Sequence, residues 1–352
     1  MKSSTVGIKD TVFKRGALDA ALSGAEYNPG QIINGPGMDA GSASTGVFLV
    51  GELEKQDPRL IEPLTSYFYP RDLDAMPGGG WVDTVSNVFA DYGTTANEED
   101  SLMGKESTNI PVSQANITKD IWKTSKFGEV LRLPLFDDLA MQQVGRSLSQ
   151  ILDNGIRLNY NKILDRNAYN GFAKTNTYGL ANNPSVTASL VAFNNAKTSR
   201  TWSDKTPNEI MLDINTLVTS TWAQAEYDLT GMANHILIDP FNYAYIANTV
   251  VSTAGNRSIL DYILENNIAV KQGRSFDIFP SRWCLAAGTG STQRMIAYVK
   301  DPMRVNWDLT VPLTRIMTAP NVQSASYETL YAAQFSQVKF LSYQTILYAD
   351  GI

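Results

Sequence analysis

The sequence predicts an α+β fold, and three observations support that prediction. Helix-like and strand-like segments are intermixed without a regular βαβ repeat, which argues against a doubly wound parallel sheet. Residues 134–171 place apolar side chains at three- and four-residue spacings, the pattern of a long amphipathic helix. The C-terminal part alternates apolar and polar residues, as at 304–309 and 337–348, which indicates strands.

Residues 1–50 are predicted to form an N-terminal arm. The segment is polar, rich in small residues and interrupted by turn signals at 28–30 and 34–37. It could hardly bury a core of its own, so a neighbouring subunit is expected to hold it. No signal peptide pattern and no run of ~18 apolar residues is found, so we expect synthesis in the cytoplasm and no membrane contact.

Three consecutive glycines, Gly78, Gly79 and Gly80, follow Pro77. A phosphate-binding loop would lead into a helix N-terminus, but this run leads into strand-like residues. Because glycine accepts backbone conformations that other residues avoid, the run is predicted to be a flexible hinge.

An extended β-hairpin is predicted at residues 83–118. Its two strand-like segments are 81–90 and 117–124. A polar insertion at 91–107 lies between them. On the return strand, Ile117, Lys119 and Ile121 share one face and Trp122 lies on the other. An isolated two-stranded hairpin is marginal in water, so this one is expected to lie across a partner.

Charged residues mark the predicted hairpin tip. The run Glu98, Glu99, Asp100 lacks the alternating ligand spacing of a calcium loop. A solvated tip, or one side of a salt bridge to a neighbouring subunit, is favoured instead. Lys105 lies close to the same tip.

The helix predicted at 134–171 would span roughly 50 Å at 1.5 Å per residue. Pro134 suits its first position, and Gly171 suits its end. Gly145 and Gly155 weaken the helix and are expected to mark a bend or a close contact. Further helices are predicted at 207–226, 241–248 and 258–265, and further strands at 235–239 and 295–298.

Composition predicts a protein with extensive contacts to other copies. The chain has 352 residues, which suggests about two structural units. Charged residues make up only 18%, against roughly 25% in an average soluble domain. Interface cores are depleted in charge, so this composition favours large contact surfaces. The net charge of −6 argues against a dedicated nucleic-acid reader.

The sequence supports no catalytic, cofactor-binding or metal-binding site. With His235 as the single histidine, no HExxH motif, Cys/His zinc cluster or multi-histidine site is possible. His235 begins a predicted buried strand, where a structural role is favoured over a pH-sensitive contact. Cys284 is the single cysteine, so no intramolecular disulfide can form, and a buried thiol is expected.

Three segments in a fixed order resemble the tailed-bacteriophage major capsid proteins, whose superfamily also contains encapsulins. The long helix ends at Asn170-Gly171, and Gly179-Leu180-Ala181-Asn182-Asn183-Pro184 follows, similar to the family's G-L-x-N-x-P loop. Ile236-Leu237-Ile238-Asp239-Pro240 resembles the family's hydrophobic strand before an N/D-P element. The closing segment, 301–352, is similar to the family's peripheral β-segment and return strand.

The resemblance implies an arrangement of parts. These are an N-terminal arm at 1–50, the start of a peripheral domain at 51–82, an extended loop at 83–118, a peripheral domain with a spine helix at 119–171, an axial domain at 172–300, and the closing segment at 301–352.

The resemblance also implies a function, which is self-assembly into the hexamers and pentamers of an icosahedral head. This head would enclose double-stranded DNA and bind it without sequence specificity. Scaffolding, portal and decoration proteins would be partners, and Lys105 would be a candidate donor for the subunit crosslinks of some members. The alternatives are an encapsulin-like compartment shell, an enzyme, and another virion structural protein.

Overall fold

The computed structural model describes residues 63, 66–94, 112–143, 145–251, 255 and 257–352. These belong almost entirely to one compact unit, Thr65–Ile352. The predicted arm at 1–50 lies outside the described residues. Of the helices in the described part, none is long and apolar enough to cross a membrane.

Helices and strands are intermixed, which confirms the α+β class. The α-helices of the described residues are α1 Tyr69–Asp72, α2 Leu135–Gln143, α3 Leu148–Tyr169, α4 Pro207–Gln224, α5 Pro240–Asn248, α6 Ile259–Asn266 and α7 Ile268–Lys271. The strands are β1 Asp74–Pro77, β2 Thr84–Thr94, β3 Ser113–Pro134, β4 Ala188–Leu190, β5 His235–Ile238, β6 Asp277–Pro280, β7 Arg294–Tyr298, β8 Val305–Leu309, β9 Val311–Asn321, β10 Ser326–Ser336, β11 Lys339–Phe340 and β12 Ile346–Asp350.

The strands form three sheets, with the orders β1-β8-β11, β2-β3-β10-β9 and β4-β12-β7-β5-β6. The central strands of the five-stranded sheet, β12, β7 and β5, are buried on both faces, and strict alternation sends neighbouring residues to different cores. From β5, Ile236 and Ile238 join the core beneath α4, α5, α6 and α7, whereas Leu237 joins the core that contains Leu164 and Tyr169 of α3. The last strand, β12, returns to this sheet and pairs with β7.

The predicted helix at 134–171 is wrong as a single element. Pro134 ends strand β3, and the helical segment is divided into α2 and α3. Gly145 takes φ +74 between them, and Arg146 N–H donates to the carbonyl of Met141, which terminates α2. Ser147 then starts α3 by accepting a hydrogen bond from the backbone of Gln150.

The G-L-x-N-x-P loop packs back on the end of α3. Leu180 N–H donates to Ala168 and Ala181 N–H to Tyr169, so the loop takes up carbonyls that the helix end leaves open. Asn182 accepts from the backbone of Gly179 and donates to the carbonyl of Asn170. The asparagine of the motif therefore holds the loop to the helix.

Strand β9 forms one edge of the four-stranded sheet. It pairs with β10 and has no partner strand on its other side among the described residues. It carries Pro312 and Pro320, and its pairing with β10 is irregular near Leu330.

Replacing two glycines of the predicted long helix with alanine should change the free energy of unfolding in opposite directions. Gly155 lies inside α3, and the space that a Cβ would occupy there is open, so G155A should raise the free energy of unfolding by about 0.5–1 kcal/mol. G145A should lower it by about 1 kcal/mol or more, because Gly145 has positive φ. Denaturant unfolding of the unassembled protein measures both, and a stabilising G145A would contradict the break between α2 and α3.

Candidate assembly surface

Strands β2 and β3 form the predicted extended hairpin. They pair antiparallel from Thr84 opposite Lys123 to Thr94 opposite Ser113, so β2 begins three residues later than predicted and runs into the predicted polar insertion. Beyond Lys123, β3 continues to Pro134 and pairs with β10 instead. The hairpin is therefore a direct extension of the four-stranded sheet.

One face of the hairpin carries four exposed apolar side chains, with Lys119 and Ser86 between them. Val88 is 67% exposed, Tyr92 78%, Ile117 71% and Ile121 62%. The pairing register places all four on the same face, together with Ala90 opposite Ile117. We call these four side chains the hairpin stripe. Exposed apolar surface of this extent typically marks an interaction site.

The hairpin stripe continues a face that is buried elsewhere in the same strand. The odd-numbered residues of β3 include Ile117 and Ile121, and further along Leu131, which packs in a core with Ile156 of α3. The apolar pattern of β3 thus extends past the part that α3 covers.

The opposite face of the hairpin meets the body at its base. Trp122 is buried there and makes an edge contact with Phe89 at 6.4 Å between ring centroids. Towards the tip, this face carries Asp91, Asn116 and other polar side chains.

Helix α2 presents a second exposed apolar group. Phe136 is 72% exposed and Leu139 49%, and no residue of α2 with a described side chain is buried. Phe136 is one of the apolar residues whose three- and four-residue spacings predict a single helix over 134–171, but α2 ends before Gly145 and is separate from α3.

The structure places some of the predicted site residues and not others. Gly78, Gly79 and Gly80 lie between β1 and β2, with φ of +111, +113 and +70. All three are in the region that favours glycine, and their role as a hinge stays a prediction. The predicted tip contacts, Glu98, Glu99, Asp100 and Lys105, lie outside the described residues.

A buried carboxylate, Asp72, fixes the body from which the hairpin extends. Asp72 accepts hydrogen bonds from Arg71 Nε at 2.6 Å and from the Tyr169 hydroxyl, and His235 Nε2 lies 3.2 Å from its Oδ1. His235 also packs against the ring of Tyr298, so the structure supports its structural interpretation. α1, the end of α3 and the start of β5 thus meet at one side chain.

Burial opposes ionisation of Asp72, but the hydrogen bonds from His235, Arg71 and Tyr169 outweigh it. The pKa of Asp72 therefore lies below its ordinary value. A neighbouring carboxylate, Asp165 of α3, accepts from the backbone of Phe68 at 2.9 Å and from Arg282 and Trp283 at 2.8 Å each.

Sequence reasoning missed part of this surface. Val88 and Tyr92 were not singled out, although Val88, Ala90 and Tyr92 alternate as a strand face should. Asp72 and Asp165 had no signal, because their partners are distant in sequence. Cys284 is buried as predicted. Among the described residues, no group of three or more His, Cys, Asp or Glu side chains is placed to hold a metal ion.

Solved structures with the same fold include the capsids of a phage and of a gene transfer agent particle. The capsid of Myoviridae phage XM1 is similar with a TM-score of 0.72 at 15% identity, covering 88% of this chain and 100% of that one. The capsid of a native gene transfer agent (GTA) particle gives a TM-score of 0.60 at 7% identity, covering 88% and 99%. Microbacterium phage Oxtober96 gives 0.56 at 12% identity, covering 85% and 96%. A search of curated proteins found no match.

The α+β fold of this chain is thus one that is found in capsids. A model of the major capsid protein family matches residues 99–352, and the chain belongs to that family. It is a structural protein of the virion, and the encapsulin alternative is not favoured.

Replacing Asp72 with asparagine should lower stability in a pH-dependent way. A carboxyl whose folded pKa is depressed stabilises the fold above its unfolded pKa of about 3.9, and this contribution is lost as pH falls through the folded value. D72N should cost about 3 kcal/mol at pH 7, since it breaks a buried charged network, and the deficit should shrink towards pH 3. Denaturant unfolding across pH measures this, and a deficit independent of pH would contradict the assignment.

Proposed function

We propose that this major capsid protein assembles as hexamers and pentamers into the icosahedral head of a tailed phage, with each hairpin lying over a neighbouring subunit. The hairpin stripe is the observation that supports this proposal. Its four apolar side chains are more than half exposed in the single chain and continue a face that is buried in the body. A neighbouring subunit would bury them as α3 buries the rest of that face.

The contribution of the hairpin stripe to assembly follows from the burial of its side chains. Complete burial of one side chain of this kind contributes about 1.5–3 kcal/mol relative to exposure. Association costs freedom of motion and side-chain order, so one hairpin is not expected to hold two subunits tightly. Repetition around a closed shell makes a modest contact sufficient, and it lets subunits adjust before the shell closes.

We propose a separate position in the shell for each segment of the chain. Residues 172–300 would form the axial domain at the centre of each capsomer, and 119–171 the peripheral domain. The arm at 1–50 would lie on a neighbour. The glycine run at 78–80 would absorb the differences in angle between hexamers and pentamers, since its backbone is the least restricted in the connection to β2.

The protein would act without catalysis. It would assemble in the host cytoplasm, with scaffolding, portal and decoration proteins as further partners. Packaged double-stranded DNA would contact it without sequence specificity, and the net charge of −6 suits a wall that does not hold DNA tightly.

Polar substitutions in the hairpin stripe should block assembly and leave the subunit folded. Ile117 and Ile121 contribute little to the core of the single chain, because both are more than 60% exposed. The variant I117S/I121S should therefore keep its free energy of unfolding within about 0.5 kcal/mol and lose closed shells. Negative-stain electron microscopy and sedimentation measure assembly, and denaturant unfolding followed by circular dichroism measures stability.

The matched control is T118S/D120S, which changes two exposed residues of the same strand on the opposite face. It should assemble normally. Normal shells from I117S/I121S would reject the hairpin stripe as an assembly contact.

The acidic tip should make assembly sensitive to salt. Glu98, Glu99 and Asp100 are proposed to meet Lys or Arg side chains of a neighbour, and Lys105 to lie in the same contact. Exposed ion pairs contribute only about 0–1 kcal/mol each and weaken with salt. The variant E98Q/E99Q/D100Q should thus shift the salt range in which shells form. An unchanged salt dependence, measured by light scattering during assembly, would contradict the pairing.

A further inference from the structure

The hairpin joins the body at a single point along β3. Strand β2 pairs with β3 up to Lys123, and β10 pairs with β3 from Thr124 onward. No strand among the described residues pairs with both halves of β3, and the two ladders overlap only through single bonds, from Thr124 N–H to Asp83 and from Gln337 N–H to Lys123. Any change in the direction of the hairpin is therefore concentrated between Lys123 and Thr124.

Thr124 fastens the junction from the hairpin side. Its hydroxyl lies 2.7 Å from the carbonyl oxygen of Val82 and 3.0 Å from that of Asp83, the two residues that lead into β2. Its backbone N–H also donates to Asp83 at 3.3 Å. The incoming chain of the hairpin is thus held to the residue of β3 at which the pairing partner changes.

Gln334 of β10 reaches the same point from the body. Its side chain is completely buried, and Nε2 donates to the carbonyl of Val82 and, at 2.8 Å, to the hydroxyl of Thr124. Gln334 pairs with Lys126 in the ladder, so its side chain extends back across the junction. A buried amide that donates twice fixes direction as well as distance.

Lys339 of β11 forms a second link. Its ammonium group is buried and lies 2.9 Å from Oδ1 of Asp308 in β8. The same group donates to Oδ1 of Asn87 in β2 at 3.4 Å and lies 5.9 Å from the ring centroid of Trp122. A buried lysine is costly unless its charge is paired, and here its partners come from both the body and the hairpin.

We propose that Thr124, Gln334, Lys339 and Asn87 form a latch that sets the angle at which the hairpin leaves the body. They are positioning residues, and the proposal rests on the proposed role of the hairpin in assembly. With the latch closed, the hairpin stripe points in one direction before any neighbour binds. If the latch opened, the hairpin would rotate about β3. The glycine run at 78–80 would allow the β2 side to follow.

The consequence is a control on shell geometry by the subunit itself. The angle of the hairpin decides where its stripe meets the next copy, so a fixed angle favours one curvature. A loosened latch would allow several contact angles and hence shells of several sizes. Pre-organisation of this kind also lowers the entropy lost on association.

The latch is tested first in the unassembled protein with N87A and T124V. Both changes lie on the hairpin side and leave the pair of Lys339 with Asp308 intact. Amide hydrogen exchange in β2 and in β3 near the junction should become about fivefold faster for each hydrogen bond removed. N116A and T118V are the matched controls, since these exposed residues lie on the same hairpin face and away from the junction.

The direction of the hairpin relative to α3 is measured by the distance between spin labels at K119C on the hairpin and K162C on α3. Lys119 and Lys162 are both exposed in the single chain. The native Cys284 is buried, and burial raises the pKa of its thiol, so labelling is selective for the new sites. The distance distribution should be narrow in the parent protein and in the controls, and broader in N87A and T124V. Equal distributions and equal exchange in all variants would overturn the latch.

Assembly is the second readout. If the latch sets curvature, N87A and T124V should form shells with a broader size distribution by electron microscopy than N116A and T118V. Uniform shells despite a loosened hairpin would overturn control of curvature and leave the assembly role intact. Failure of I117S/I121S to affect shells would instead remove the proposed function of the hairpin, whatever the latch does.

Discussion

The structure depends on one continuous strand. Strand β3 runs for 22 residues, from the exposed hairpin into a sheet that packs on α3. The same strand therefore carries residues of the exposed hairpin stripe and residues of the core of the single chain. Because side chains alternate along a strand, Ile117 and Ile121 lie on the same face of β3 as Leu131, which packs on α3. In the proposed shell, a neighbouring subunit covers the part of this face that α3 leaves exposed.

The interior of the body is unusually rich in buried charge for a chain with few charged residues. Asp72, Asp165, Lys339 and Asp350 are all buried, and each is bound by partners distant in sequence. Arg294 holds Asp350 with two parallel hydrogen bonds at 2.7 and 2.9 Å. Directional bonds of this kind favour one arrangement of the elements over near alternatives, whereas apolar packing alone tolerates small shifts.

Much of the fold follows from local patterns in the sequence. The helix predicted at 207–226 is found at Pro207–Gln224, where Thr206 and Glu209 form a capping box and the apolar residues Ile210, Ile214 and Leu217 are buried. The strand at His235–Ile238 and the following helix also follow the predicted order, because Asp239 caps that helix. The break of the long helix was less accessible, since a glycine inside a periodic pattern is compatible with both a bend and an end.

The assembly surface was predicted in outline and incompletely in detail. The hairpin and the exposed face of Ile117 and Ile121 followed from alternation, but β2 was placed too early, and Tyr92 was assigned to a polar loop. Contacts such as Lys339 with Asn87 could not be predicted, because they join residues 252 positions apart in sequence. Local pattern determines which elements form, and only tertiary packing determines which side chains cross between them.

The prolines of strand β9 affect the open edge of the four-stranded sheet. An exposed sheet edge offers unpaired backbone donors to any other chain and can seed fibrous aggregates. Pro312 and Pro320 each remove a donor from β9, and the irregular pairing near Leu330 disturbs its flatness. These features make the open edge of the four-stranded sheet a poor template for a strand of another copy, so they oppose edge-to-edge stacking of subunits.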